Sequence, residues 1–367
     1  MTYFISCFLV SVIATLVVMR SSSRHSRLAT DHDLNGPQKF HARPVPRVGG
    51  AGVMISIVAG AGIAQLARSP AASYLWLLIA CSLPAFAAGL IEDLTKSVSP
   101  RRRLLASAIS AGLAIWLLDA VVGRTHIPGF DPVLKWAPLV VVALTIFISA
   151  GVINAINIID GFNGLASMCV LMMVLALAYV AFQVGDIFVF TASLITAGAV
   201  FGFFVWNFPA GLIFLGDGGA YLLGFLLGEL CILIVHRNEN VSPMFPLLLC
   251  AYPVFETIFT MYRRKFVRGV ATGAPDGIHL HTLIHRRLIR WTLQDNIERR
   301  RLTRRNSMTS PYLWMLCLMS VIPSVLWWNS TAILTGFLLT FMVSYIWLYS
   351  RIVRFRTPRW MVFRRTR

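Results

Sequence analysis

Long apolar runs separated by short polar segments dominate the pattern of this chain. A helix needs about 20 mostly apolar residues to cross a hydrocarbon core of about 30 Å. About eleven runs have that character, and the first lacks the basic start and the cleavage site of a signal peptide. The pattern predicts an all-α integral membrane protein, a polytopic bundle of about 11 transmembrane helices. The runs centre on 2–19, 50–67, 74–91, 104–122, 137–153, 165–183, 188–207, 219–235, 243–262, 311–328 and 331–350.

The composition agrees with a membrane location. Of the 367 residues, 57% are hydrophobic and only 13% are charged, whereas about 25% are charged in an average soluble domain. This balance excludes a water-soluble globule, and with it a nucleic-acid-binding protein, which needs a soluble basic face. The six cysteines all lie within apolar runs, so their spacing indicates neither a disulfide framework nor a metal site.

The distribution of Lys and Arg predicts how the helices are oriented. The net charge is +18, and cytoplasmic segments carry an excess of Lys and Arg. With the N-terminus periplasmic and the C-terminus cytoplasmic, the inside segments hold 29 of the 33 basic residues. We therefore expect one multi-pass domain over 1–350 and a basic cytoplasmic tail over 351–367, with anionic membrane lipids as partners. The inside segments are 20–49, 92–103, 154–164, 208–218, 263–310 and the tail.

Polar residues cluster in the loop after the fifth run. If the helix continues through this loop, Asn154, Asn157 and Asp160 share one helix face because they recur at every third position. Asn163 follows between two glycines that allow a ligand to approach the backbone closely. Asn and Asp so near the bilayer are costly, which favours a functional role. The alternative is a polar helix end followed by a glycine turn.

Two further inside segments carry carboxylates. Glu92 and Asp93 end the third run, where the helix dipole favours cations, so a metal or proton-acceptor role would explain them. Their alternative role is pairing with Lys96 or with Arg101 to Arg103. Asp217 lies among glycines before the eighth run, a pattern that suits a Mg²⁺-bound phosphate as well as a helix N-cap.

Basic and imidazole side chains occupy two other inside segments. Lys39, His41 and Arg47 lie in a proline-stiffened stretch before the second run, which predicts either a phosphate-binding strap or a simple positive-inside signal. His279 and His281 lie among apolar residues of the 263–310 segment. A zinc site is one alternative for these histidines, but the neighbouring acidic and basic loops suit phosphate chemistry better.

Five motifs, in order along the chain, resemble those of one enzyme superfamily. HARPVPRVGG, GLIEDL, NAINIIDGFNGLA, FLGDGG and PDGIHLH are similar to the motifs of the polyprenyl-phosphate N-acetylhexosamine-1-phosphate transferases, over residues from about 31 to 285. The resemblance implies transfer of a sugar 1-phosphate from a UDP-N-acetylamino sugar to undecaprenyl phosphate, with release of UMP. It further implies Mg²⁺, with Mn²⁺ as an alternative, and a bacterial cytoplasmic membrane with the active site on the cytoplasmic face.

The resemblance also implies roles for individual residues. Asp217 resembles the metal ligand, and Glu92 and Asp93 stand where the family has paired aspartates near the lipid phosphate. Asn154, Asn157, Asp160 and Asn163 resemble the nucleotide-sugar and catalytic loop. His279 and His281 resemble the histidine motif near the diphosphate or the sugar. The chain departs from the family pattern at Glu92, at Asn163 and at Thr282, where an aspartate, an aspartate and a histidine are frequent.

The expected mechanism is electrostatic. Two unit charges 4 Å apart repel by about 4 kcal/mol at an effective dielectric of 20, so a lipid phosphate and a diphosphate need cations between them. We expect Mg²⁺ on Asp217, neutralisation by Lys39, His41, Arg47 and the histidines, and a proton acceptor at Asp93. A covalent phospho-aspartate is a rival route. A membrane transporter, an inactive lipid-binding homologue and a homodimer stay open, as does the polysaccharide (O antigen, capsule or exopolysaccharide) that the product would initiate.

Overall fold

The computed structural model describes residues 1–24, 30–31, 45–267, 269, 278–289 and 298–355. Lys39 and His41 therefore lie outside the described residues, as does most of the predicted tail. The described chain is helical except for its loops and two short antiparallel strands, β1 (Thr30–Asp31) and β2 (Val45–Pro46). The helices are α1 (Thr2–Arg24), α2 (Gly49–Leu66), α3 (Ala72–Thr95), α4 (Pro100–Leu118), α5 (Asp131–Trp136), α6 (Pro138–Ile159), α7 (Leu165–Val184), α8 (Ile187–Asn207), α9 (Gly216–Arg237), α10 (Met244–Leu249), α11 (Ala251–Tyr262), α12 (Leu280–Ile284), α13 (Glu298–Leu326) and α14 (Thr331–Val353), with π-helical turns at Arg263–Val267 and His285–Ile289.

Within the described ranges, nine helices are long and apolar enough to cross a membrane. Each of the nine coincides with a predicted run, and the prediction of an all-α polytopic membrane protein is confirmed. The two other runs are also helical, but α4 begins with three arginines and the ninth run is divided at Cys250 into α10 and α11. The count of about eleven spans, the orientation of the termini and the domain boundary at residue 350 stay predictions.

Helix α9 lies at the centre of the bundle. Its 18-residue apolar stretch is entirely buried within the protein, as expected for a helix that is hydrophobic on all sides. Helices α2, α3, α6, α7 and α8 pack around it. Gly224 allows close packing on α6, because an added Cβ would lie 2.6 Å from the Cα of Ile153. The first turn of α9 is therefore surrounded by the ends of several helices.

The segment before α2 holds the loop that leads into α9. The N–H of Phe214 donates to the carbonyl of Pro46 (2.8 Å), and the N–H groups of Gly49 and Gly50 donate to the carbonyls of Phe214 (3.0 Å) and Leu215 (2.9 Å). These bonds join two segments that are about 165 residues apart in the chain. They place Arg47 beside the first turn of α9.

Candidate active site at the start of helix α9

Asp217 lies in the first turn of α9, with its side chain 14% exposed. Its carboxylate contacts the guanidinium of Arg103 from α4, and its Oδ1 accepts a hydrogen bond from the Nδ2 of Asn157 on α6 (3.2 Å). A guanidinium nitrogen of Arg47 lies 3.8 Å from the same Oδ1. Four segments that are distant in sequence thus meet at one carboxylate, and two of them contribute cations.

Asp93 contacts the backbone of Asp217 and is 2% exposed. Its Oδ1 accepts the backbone N–H of Asp217 (3.0 Å), and its Oδ2 accepts the backbone N–H of Gly218 (2.8 Å). The first N–H groups of a helix have no partner within the helix, and its positive end favours a carboxylate. Asp93 therefore acts as an N-cap supplied by another helix. The structure brings it to Asp217, while its predicted proton-acceptor role stays a prediction.

The side chain of Glu92 has a different hydrogen-bond partner from that of the adjacent Asp93. Its Oε2 accepts the backbone N–H of Val98 (2.8 Å) and so closes the turn between α3 and α4. Neither this contact nor any other hydrogen bond described for Glu92 joins it to Asp217. Arg103, the last of the three consecutive arginines, pairs with Asp217 rather than with Glu92 or Asp93.

Asp160 is the third carboxylate near this point. Helix α6 ends at Ile159, so Asp160 begins the loop and is half-buried. Its burial raises its pKa to about 7, and the negative charges of Asp217 and Asp93 raise the pKa further against the opposing effect of Arg47. Among the described residues, no side chain or N–H donates a hydrogen bond to its carboxylate. A carboxylate with this pKa can exchange a proton near neutral pH.

The predicted polar face of α6 is only partly realised. Asn157 reaches Asp217, but the Nδ2 of Asn154 donates to the carbonyl of Ala150 on its own helix (2.7 Å). Because the helix stops before Asp160, the three side chains do not form a continuous row. The predicted substrate contact of Asn154 stays a prediction.

Asn163 is buried and ties its loop to α13. Its Nδ2 donates to the carbonyl of Pro209 (3.2 Å) and lies 3.1 Å from the Oγ of Ser307. Its backbone N–H donates to Asn306 (2.8 Å), and its carbonyl accepts from Ser310 (2.6 Å). The side-chain amide, the backbone N–H and the carbonyl of Asn163 thus all form hydrogen bonds within the protein. None of the hydrogen bonds described for Asn163 joins it to Asp217, and its predicted substrate contact stays a prediction.

The histidine segment lies beside the same loop. His279 and His281 are each 4% exposed, and their rings stack with centroids 5.0 Å apart. The Nε2 of His281 faces Gly161, where an added Cβ would lie 3.4 Å from it. Thr282, at a position where the resembling family frequently has a further histidine, is fully buried. The two predicted histidines thus lie together, next to the residue that follows Asp160.

Two residues near the site are missed by sequence reasoning alone. Arg103 is one of three consecutive arginines that a positive-inside signal already explains, and nothing in the sequence distinguishes it from Arg101. Glu256, a carboxylate within an apolar run, indicates function only weakly. In the structure its Oε1 lies 3.1 Å from the Nδ1 of His279.

Fold and site together define a polytopic α-helical membrane protein whose acidic and basic side chains meet at the start of a central helix, with two histidines beside the loop after α6. The sequence profile of glycosyl transferase family 4 matches residues 75–235. The chain is 27% identical over 282 residues, which cover 75% of each protein, to a probable undecaprenyl-phosphate N-acetylglucosaminyl 1-phosphate transferase of Bacillus subtilis. It is 27% identical over 254 residues (69% of this chain, 72% of the relative) to an undecaprenyl-phosphate alpha-N-acetylglucosaminyl 1-phosphate transferase of Thermotoga maritima.

A third relative is a phospho-N-acetylmuramoyl-pentapeptide-transferase of Dinoroseobacter shibae, 29% identical over 237 residues (57% of this chain, 64% of the relative). These similarities confirm the family predicted from the five motifs. That family is the polyprenyl-phosphate sugar-1-phosphate transferases, to whose members the chain is similar.

Proposed function

We propose that this protein transfers an N-acetylhexosamine 1-phosphate from a UDP-sugar to undecaprenyl phosphate and releases UMP. The observation that carries the proposal is the Asp217 cluster, where Arg47, Arg103 and Asn157 converge on one carboxylate at the start of α9. The names of the relatives support the same reaction, since they act on polyprenyl phosphates. A transporter is not favoured, because its polar groups would lie near the bilayer midplane.

The cations of the cluster suit the substrates. A lipid phosphate that approaches a diphosphate meets several negative charges, and each close pair costs about 4 kcal/mol at 4 Å and an effective dielectric of 20. Arg47, Arg103 and the positive end of α9 lower this cost. Lys39 and His41, outside the described residues, precede Arg47 in the sequence, and we assign them to the same neutralisation. The nearby histidines would contact the diphosphate or the sugar.

The donor set also suits Mg²⁺. In many phosphate sites one or two protein carboxylates and substrate oxygens hold this ion, and Asp217 with the neighbouring Asn157 amide provides such a set. No group of three or more His, Cys, Asp or Glu that could hold a metal occurs in the described part of the chain. When bound, Mg²⁺ would neutralise charge on the diphosphate; Mn²⁺ has the same ligand preferences.

In the proposed reaction, an oxygen of undecaprenyl phosphate attacks the sugar-linked phosphorus, and the bond from that phosphorus to the UMP oxygen breaks. If the lipid phosphate arrives protonated, we assign its proton to Asp160, whose carboxylate accepts no hydrogen bond within the described residues. Both oxygens of Asp93 already accept N–H groups of α9, so Asp93 holds Asp217 in place. The product is a polyprenyl-diphosphate sugar, which would initiate a cell-envelope polysaccharide on the cytoplasmic face of the inner membrane.

The test is an assay of UMP release by the purified protein with undecaprenyl phosphate, Mg²⁺ and a panel of UDP-N-acetylamino sugars. We expect release to require all three, to stop with a chelator and to resume with added Mg²⁺. Asp217→Asn should abolish release. Asp119→Asn is the matched control, because the Asp119 carboxylate is 81% exposed and contacts His236 rather than the site.

Turnover by Asp217→Asn would contradict the proposal. A burst of UMP without any lipid acceptor would favour the rival covalent route through a phospho-aspartate.

A further inference from the structure

Glu256 on α11 lies at the centre of a hydrogen-bond network beneath the histidine segment. Its side chain is 1% exposed. Its Oε1 accepts the backbone N–H of Leu280 (3.2 Å) and lies 3.1 Å from the Nδ1 of His279. Its Oε2 accepts the hydroxyl of Tyr345 from α14. One carboxylate thus joins α11, the histidine segment and α14.

The neighbours of Glu256 define its ionisation and the tautomer of His279. The backbone N–H and the tyrosine hydroxyl both donate, as suits an ionised carboxylate, which can only accept. The Nδ1 of His279 beside the same oxygen therefore carries a proton, and its Nε2 is the nitrogen left for another partner.

A series of contacts connects His279 with the loop after α6. Its ring stacks on that of His281 with an angle of 10° between the planes. The Nε2 of His281 in turn faces Gly161, the residue next to Asp160. A change in the orientation of His279 would therefore alter the position of both imidazoles relative to the loop.

We infer that Glu256 is a positioning residue that holds His279 with its Nδ1 protonated and its ring oriented, so that the stacked histidines are held in place for the diphosphate of the nucleotide sugar. The inference rests on the proposed function, since that function supplies the anionic ligand. It assigns to Glu256 a part in binding without contact with the substrate.

The charges around the Glu256 and His279 pair show why Glu256 matters. Glu256 contributes a negative charge to the pair, whereas the nearby Arg263 is positive and its guanidinium donates to the carbonyl of Ile278 (2.7 Å). Without Glu256, the Nδ1–H of His279 would lose its carboxylate acceptor. The titratable and charged neighbours are Tyr252 on α11, Arg263 in the following π-helical turn, His281 on α12, and Tyr345 and Tyr349 on α14.

The test compares kcat and KM of purified variants for the UDP-sugar from pH 6 to 9. Glu256→Gln retains the shape and an acceptor oxygen but removes the charge. We expect a rise of about tenfold or more in KM with a smaller change in kcat. We also expect the alkaline limb of the kcat/KM profile to shift, because Glu256→Gln removes the negative charge beside His279. Glu256→Asp should keep the limb near its original position.

Two further variants separate positioning from a merely structural role. His279→Gln should remove the alkaline limb, and adding Glu256→Gln to it should cause no further loss, because both changes interrupt one interaction. Glu229→Gln is the matched control. Glu229 is an equally buried carboxylate on α9 that accepts a hydrogen bond from Ser149 (2.6 Å), and its replacement should leave the profile unchanged.

The outcomes distinguish the inference from the function on which it rests. If the unaltered protein releases no UMP with any UDP-sugar, the proposed function fails. If the unaltered protein is active, three results for Glu256→Gln would overturn the inference alone. They are an unchanged pH profile, an equal loss of activity at every pH, and a loss that adds to that of His279→Gln. If Glu256→Gln does not purify as a folded protein, Glu256→Asp provides the test. A shifted alkaline limb in the kcat/KM profile of Glu256→Asp would overturn the inference.

Discussion

The carboxylate of Asp93 caps the helix that carries Asp217, and both of its oxygens accept backbone N–H groups of that helix, one of them from Asp217 itself. A carboxylate at this position both satisfies two unpaired donors and complements the positive end of α9. The side chain of Asp217 is then left to face Arg47, Arg103 and Asn157. This division of tasks between two acidic residues is the basis of the first prediction.

Asp93→Asn should destabilise the protein and lower its activity together. Asparagine has one acceptor oxygen, so one N–H of α9 would face the amide N–H₂ group, at a cost of about 1–3 kcal/mol. The measurements are the unfolding temperature in detergent and the rate of UMP release, with Asp119→Asn as the exposed control. Lost activity at an unchanged unfolding temperature would instead indicate a chemical role for Asp93.

Gly89→Ala should separate α3 from the start of α9. An added Cβ at Gly89 would lie 2.6 Å from the backbone of Asp217, so the helices must move apart and Asp93 would lose its cap contacts. We expect a lower unfolding temperature and reduced UMP release. Gly112→Ala on α4 is the matched control, since nothing lies within 4 Å of its Cβ position. It should be neutral or stabilising by about 0.5–1 kcal/mol; equal effects of the two changes would refute this account.

Arg103→Gln should lower kcat/KM for the UDP-sugar about tenfold or more, because a cation beside Asp217 is lost where phosphates gather; tenfold corresponds to about 1.4 kcal/mol. Arg101→Gln changes an exposed arginine in the same turn of α4 and should retain normal kinetics. Steady-state measurements of UMP release compare the two variants. If both lose activity equally, the contribution comes from the general positive charge of this segment.

Asn163→Asp should be destabilising even though the resembling family frequently has aspartate here. The Nδ2 of Asn163 donates to the carbonyl of Pro209, and a buried carboxylate would place two acceptors against each other. We expect a loss of about 1–3 kcal/mol, measured as a lower unfolding temperature, with no gain in turnover. Higher activity in the variant would show that a second carboxylate in this loop acts on substrate or metal.

The stability of the protein should fall as the pH is lowered from about 6.5 to about 4, in part because of His285. Burial lowers the pKa of this histidine to about 4 from its ordinary 6.5. In this interval the unfolded chain binds a proton that the folded protein does not, so acid favours unfolding. Unfolding temperatures between pH 7.5 and 4.5 should decrease less in His285→Gln. Parallel curves for the two proteins would exclude His285 as a source of the dependence.

The hydropathy of the chain alone predicts most of the helices, because a helix in lipid must satisfy its own backbone groups and so needs a long apolar run. The run at 243–262 is the exception. It is mostly apolar, yet it forms two helices that meet at Cys250, and three prolines lie within it. An apolar run predicts how long a buried segment is, but it does not predict whether the helical hydrogen bonds continue without a break.

The five motifs were enough to indicate the family, since residue types and their order along the chain can be read directly. Only the tertiary structure decided which side chains meet. The sequence does not distinguish Arg103 from Arg101, and only the packing of α4 shows that Arg103 contacts Asp217. Glu92 and Asp93 are adjacent in sequence, but their side chains bind different partners. Spacing within one helix determines which residues share a face, but the helix opposite that face depends on how the whole bundle packs.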